Sequence, residues 1–211
     1  LMWRKYVVYA YTFVSVVGTA SFLGLGIHYT KDMSDLHSLS HLITATPAID
    51  TAFAWFMLLH GLLGALTYFV LIANACYSAF FALFIVTMQI LTGMFNTQDY
   101  ADPHYAYAVL AFASTLLAAV AVLVFRHKSQ VITRIKWRLI LAIAFIALSA
   151  TLLICFGIIV QSSCCNWEGP FEWTAMFLIS FIPFILYDET VYKRHLFVRT
   201  NVTEHNCVQT I

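Results

Sequence analysis

The sequence predicts an all-α protein, a polytopic membrane bundle of six transmembrane helices with both termini in the cytosol. Hydrophobic residues make up 62% of the 211 residues and charged residues only 10%, whereas a soluble domain has about 25% charged residues. Six apolar segments are each about 20 residues long, enough to cross about 30 Å of hydrocarbon. Ten of the eleven Lys and Arg residues fall on one side of this topology.

The predicted spans, taken in order, are 6–27, 53–73, 76–95, 105–125, 138–160 and 171–187. All six are expected to be helices, because lipid offers no hydrogen-bond partner to an unpaired backbone group. The first span continues to Ile27, beyond the core of a cleaved signal peptide, so we expect it to be retained. The sixth contains Pro183, which removes one helical hydrogen bond and predicts a kink. A single domain, 1–211, accommodates all six spans.

The basic residues predict the orientation of the bundle. They precede span one, crowd the connection between spans four and five, and follow span six. These ten are Arg4, Lys5, Arg126, Lys128, Arg134, Lys136, Arg138, Lys193, Arg194 and Arg199. Only Lys31 falls on the other side, which carries most of the acidic residues. Because loops rich in Lys and Arg stay in the cytosol, we predict a lumenal or extracellular location for 28–52, 96–104 and 161–170.

Polar residues near the predicted lumenal face form a candidate lipid-headgroup site. They lie at the openings of spans four and six and about two turns into span two, and they are His60, Asp99, Asp102, His104, Glu172 and Trp173. Polar groups at membrane depth are costly and usually face inward or serve a function. A carboxylate beside a histidine can do acid–base work or hold a polar headgroup. The alternative is that the aspartates stabilise helix starts, with Asp102 at a natural N-cap position.

The sequence gives little support for a metal site, a haem site or a known catalytic motif. His37 and His41 are four residues apart and could share a zinc ion on one helix face, but a hydrated loop is the favoured interpretation. Haem needs two axial ligands, and only His60 lies well inside a span. There is no nucleophile elbow, phosphate-binding loop or nucleic-acid signature. We therefore predict no metal and no cofactor.

Four stretches resemble a known family. They are "ATPAIDTAFAWFMLLHGLLGA" (45–65), "NTQDYADPHYAYAVLAF" (96–112), "IKWRLILAIAF" (135–145) and "FEWTAMFLISFIPFILYD" (171–188). Together they resemble the Frag/DRAM/Sfk superfamily of six-span membrane proteins, nearest to the branch of the second post-GPI-attachment-to-proteins factor. The resemblance implies a Golgi or endoplasmic reticulum protein needed for fatty-acid remodelling of glycosylphosphatidylinositol (GPI) anchors. The plasma membrane and the lysosome are alternative locations. The resemblance assigns no chemical role to individual residues. It only matches four positions to the family, those of His60, Asp99, His104 and Glu172.

Three functional classes remain open at this point: a lipid-remodelling factor, a non-enzymatic membrane modulator similar to the autophagy modulators, and an auxiliary subunit of a channel or receptor. The sequence has no recognised catalytic constellation, so it leaves open whether the protein is an enzyme or an accessory. A stripe of small residues on span four favours helix packing, though it could also face a partner. This stripe is Ala111, Ser114, Ala118 and Ala121. Expected partners are membrane lipids, with GPI-anchored proteins and a membrane-protein partner as further candidates, and no nucleic acid.

Overall fold

The computed structural model describes residues 2–30, 46–72, 75–95, 101–128, 136–162 and 168–187, and nearly all of them are helical. The helices, in chain order, are α1 (Met2–Thr30), α2 (Pro47–Leu71), α3 (Ala75–Met94), α4 (Ala101–Lys128), α5 (Lys136–Ser162) and α6 (Glu168–Leu186). All six are long and apolar enough to cross a membrane, and the described ranges contain no strand. The prediction of an all-α six-span bundle is confirmed, and the chain is a multi-pass membrane protein.

Helix α2 begins six residues before the predicted start of span two, because the sequence "TPAID" forms a complete helix start. The Thr46 side chain accepts a hydrogen bond from the Ile49 backbone nitrogen at 3.2 Å, and Pro47 takes the first position. A threonine cap, a proline at the first position and Asp50 in the first turn all favour a helix start. His60 therefore lies thirteen residues from the start of α2, about 20 Å along the helix, rather than two turns.

Proline also lies in the first turns of α4 and α6, as Pro103 and Pro170. These positions suit proline, since the first backbone nitrogens of a helix have no partner within it. Pro183 lies inside α6, and the helix continues past it to Leu186.

The helices pack in a ring, with one helix outside it. Neighbours in the ring are α1, α2, α3, α4 and α6, and α6 closes the ring against α1. Helix α5 packs against the outside of α6 and touches α4 only slightly. Accordingly 61% of the α6 span is buried within the protein, against 17% of the α5 span. Of the six described spans, that of α6 is thus the most enclosed.

Two apolar clusters lie at opposite ends of the bundle. We call the end with Met2, Leu71 and Leu186 the terminal end, and the opposite end the far end. The terminal core is the larger cluster and includes Val8, Tyr68, Ile85, Ala118, Val122, Ala142, Ile182 and Leu186. The far-end cluster consists of Phe22, Ile49, Phe53, Met57, Trp173 and Met176. Each cluster joins residues from α1, α2 and α6, and α1 runs antiparallel to the other two.

The outer surface is apolar, as lipid contact requires. Side chains such as Phe13, Leu83 and Ile140 are each about two-thirds exposed, which would promote association in water. Exposed aromatic residues occur near both ends, with Trp3 and Trp137 at the terminal end and Trp55 near the far end. Since tryptophan concentrates at membrane–water interfaces, these residues indicate the two boundaries of the lipid-facing band.

Candidate functional site

A cavity between four helices brings buried polar groups together in the far half of the bundle. Its polar lining consists of His60 from α2, Gln89 and Thr92 from α3, His104 from α4 and Glu172 from α6. We call it the polar cavity. Its volume is about 30 Å³, room for about two water molecules. The remaining wall is apolar, and Phe53, Met57 and Met176 belong to both the cavity wall and the far-end cluster.

Two glycines bring α2 and α3 close together beside the cavity. A Cβ atom added at Gly61 would lie 2.9 Å from the Cβ of Gln89, and one added at Gly93 would lie 2.9 Å from the Cβ of Met57. Real Cβ atoms essentially never approach so closely. The missing side chains therefore allow the contact that places Gln89 in the same cavity as His60.

His60 is enclosed by aromatic rings. Its ring centroid lies 5.0 Å from that of Tyr11 on α1 and 5.6 Å from that of Phe56 on its own helix. Only 9% of the residue is exposed, and its Nδ1 atom is buried without a hydrogen-bond partner, as is the Oε1 atom of Gln89. A buried polar atom without a partner costs about 1–3 kcal/mol. These two atoms are therefore available to a polar group that enters the cavity.

His104 has a structural role in addition to lining the cavity. Its Nδ1 atom donates a hydrogen bond to the backbone carbonyl of Phe95, just beyond the last residue of α3. The last carbonyls of a helix lack partners within it, so His104 ties the start of α4 to the end of α3. In the neutral ring this bond leaves the lone pair on Nε2. The imidazole is thereby held in one orientation at the cavity wall.

Glu172 and Trp173 are consecutive in sequence, and they face different surroundings. Both are buried, and each is 3% exposed. Glu172 lines the polar cavity, whereas Trp173 packs in the far-end cluster. That cluster adjoins the cavity through Phe53, Met57 and Met176, and the grouping of Trp173 with the site stays a prediction.

The two remaining candidates are the aspartates Asp99 and Asp102. Asp102 is the second residue of α4, so it lies within the first turn and not at the N-cap as expected. Asp99 lies outside the described residues, as do His37 and His41. Among the described residues, no three His, Cys, Asp or Glu side chains come together as ligands of one metal ion.

Sequence reasoning missed Gln89 and Thr92. The available signal was a glutamine in the middle of an apolar span, in "TMQILTG", since polar side chains at membrane depth usually face the protein interior. It also missed the buried polar face of α1. Tyr11, Ser15 and Thr19 are four residues apart and at most 1% exposed, a spacing that places them on one helix face.

The geometry supports polar binding and proton exchange in a mostly dry setting. Two imidazoles and one carboxylate from three helices meet at a cavity that admits only water-sized groups, such as a hydroxyl or an ester carbonyl. Histidine and glutamate are the side chains most suited to acid–base work when held within reach of such a group. In comparison with known proteins, no family model, curated protein or solved structure matches the chain.

Proposed function

We propose that this membrane protein is a lipid-remodelling factor of the secretory pathway that acts on the lipid part of GPI anchors at the lumenal side of the Golgi or endoplasmic reticulum. The family resemblance of the four stretches suggests the substrate. The observation that carries the proposal is the convergence of His60, His104 and Glu172, from three helices, on one buried cavity.

A purely structural bundle has little use for such a cavity. A buried carboxylate is costly at membrane depth, and apolar replacement of buried polar groups is often neutral or stabilising. His60 Nδ1 and Gln89 Oε1 have no hydrogen-bond partner that would repay their burial. Function is therefore the better reason for the presence of these groups.

The size of the cavity favours contact with the linkage of a lipid over contact with its glycan. At about 30 Å³ it cannot contain a sugar or inositol ring. It can contain the carbonyl or hydroxyl oxygen of the glycerol–acyl region, where remodelling exchanges acyl chains. We therefore narrow the predicted lipid-headgroup site to a site for the polar linkage that lies beneath the headgroup.

The small-residue stripe of α4 supports packing within the bundle more than it supports the auxiliary-subunit alternative. Ala111, Ser114 and Ala118 of the small-residue stripe are at most 2% exposed, so the stripe packs inside the bundle. Close helix packing is the ordinary use of such residues.

The test is deletion of the gene, followed by mass spectrometry of GPI lipids and measurement of GPI-anchored proteins at the cell surface. We expect altered anchor acyl chains, restored by the wild-type protein but not by His60→Ala or Glu172→Ala. Matched controls are Leu59→Ala and Thr174→Ala, exposed neighbours on the same two helices, which should restore the lipids fully. Unchanged anchor lipids and surface levels after deletion would refute the proposal.

A further inference from the structure

The described residues of α4 and α5 form a second, larger cavity, a groove that we call the lateral groove. Its volume is about 350 Å³, and every side chain that lines it is apolar. Helix α4 contributes Ala108, Phe112 and Leu116, and α5 contributes Ala150, Leu153 and Gly157, among others. The groove exists because α5 packs on α6 and leaves α4, although the two helices are consecutive in sequence.

The lateral groove adjoins the polar cavity. Ala108 and Phe112 line both, so an apolar slot and a polar cavity meet at a shared wall. At the cavity, His60 Nδ1 and Gln89 Oε1 are buried without partners. This combination suits a ligand with an apolar tail and a small polar group at its end.

The depth of the cavity suits a membrane lipid. His60 is five residues along α2 from the exposed Trp55, about 7.5 Å deeper. Because exposed tryptophan lies near the level of the lipid headgroups, His60 lies below that level, among the acyl chains. The groove residues of both helices lie within membrane spans.

The groove is too small for a helix of another protein. A volume of about 350 Å³ is at the lower end of the range for small-ligand pockets, roughly 300–1,000 Å³. A stable protein–protein interface buries about 800 Å² on each partner, far more than a slot of ten residues offers. One hydrocarbon chain fits these dimensions better.

We propose that the lateral groove binds one acyl chain of a glycerophospholipid, with the ester group of that chain at the polar cavity. This proposal rests on the proposed function for its biological meaning, since it names the part of the lipid that the site holds. Its physical basis does not depend on the proposed function. It consists of the apolar groove, the wall that the groove shares with the polar cavity, and the buried polar atoms without partners.

The experiment uses the purified full-length protein in lipid nanodiscs that contain a phosphatidylinositol with a photoactivatable diazirine in one acyl chain. After illumination, labelled peptides are located by mass spectrometry. We expect labelling to concentrate on the α4 and α5 residues that line the groove. Gly157→Leu should reduce this labelling about tenfold, since overfilling a fitted site costs enough to weaken binding by that factor.

Gly24→Leu is the matched control. A Cβ atom added at Gly24 or at Gly157 meets no other atom within 4 Å, so both variants should fold, but only Gly157 lines the groove. Gly24→Leu should keep wild-type labelling. Ala113→Leu fills the groove from the opposite wall and should match Gly157→Leu.

Equal labelling of wild type and Gly157→Leu, or labelling spread evenly over the lipid-facing helices, would overturn the proposal. A change of oligomeric state caused by Gly157→Leu would also overturn it, since a second copy would then occupy the groove. The proposed function is tested separately. If the groove is labelled but the anchor lipids are unchanged after deletion, the lipid site is supported and the remodelling function is refuted. If the anchor lipids change but the groove is not labelled, the remodelling function is supported and the lipid site is refuted.

Discussion

The terminal core and the polar cavity occupy opposite halves of the same bundle and are built from different kinds of side chain. In the terminal core, Ala118, Val122 and Ile182 are fully buried among other apolar groups. In the polar cavity, histidine, glutamine and glutamate side chains surround a volume of about 30 Å³. Two of their buried polar atoms have no partner. One half is mainly apolar, and the other contains ionisable side chains around a cavity.

This difference shows how each half of the bundle affects the stability of the protein. Lipid tails are as apolar as leucine, so helices in a membrane associate through close packing and not through the hydrophobic effect. The terminal core has this packing and should supply most of the stability. The polar cavity costs stability, which is expected at a site that must accept a ligand. The following predictions test this division, from the largest expected effect to the smallest.

Thiol labelling determines which side of the membrane each half faces, and the expected effect is all or none. The exposed thiol of Cys76 lies at the terminal end, and Thr51 is exposed at the far end. In sealed microsomes, a membrane-impermeant maleimide should modify Cys76 but not the cysteine introduced by Thr51→Cys. The latter should react only after detergent is added. The reverse pattern, mapped by peptide mass spectrometry, would place the polar cavity on the cytosolic side.

Ile182→Ala should destabilise the protein by about 2 kcal/mol, the lower end of the range for such truncations, because lipid solvates an exposed isoleucine nearly as well as the core does. Thermal denaturation in detergent micelles measures this change. Phe181→Ala, at the neighbouring and partly exposed position, is the control and should have little effect. Equal losses for the two variants would mean that the terminal core is not the main source of stability.

Gly61→Ala should cost about 1 kcal/mol, because its new methyl group would contact Gln89 and the backbone of Val86 and force α2 and α3 apart. Gly24→Ala adds the same group where no atom lies within 4 Å. It should be neutral or stabilising through helix propensity. The same denaturation assay compares them, and equal stability of both variants would show that the close α2–α3 contact is unimportant.

His60→Leu should have the smallest effect on stability, leaving it unchanged or slightly raised. The variant removes a buried imidazole whose Nδ1 has no partner and substitutes a side chain that suits the surrounding Tyr11 and Phe56 rings. The same variant should fail to restore anchor lipids in the deletion strain. A large loss of stability would instead make His60 a structural residue and remove the contrast between the two halves.

Part of the candidate site could be predicted from the sequence. His60, His104 and Glu172 stand out as polar residues within apolar segments, and the structure places all three around one cavity. Trp173 packs in the far-end cluster, which adjoins the cavity. The link from His104 to the Phe95 carbonyl could not be predicted, since it depends on where α3 ends against α4.

The sequence by itself determined the number, type and approximate positions of the helices. Six long apolar segments leave no alternative to helices in lipid, because every backbone group needs a partner within its own segment. Only the tertiary structure decided which helix lies inside and which outside. Helix α6 closes the ring and α5 remains peripheral, an arrangement that depends on the fit of side chains and glycines at each contact. Average hydropathy carries no information about that fit, and the polar cavity and the lateral groove both arise from it.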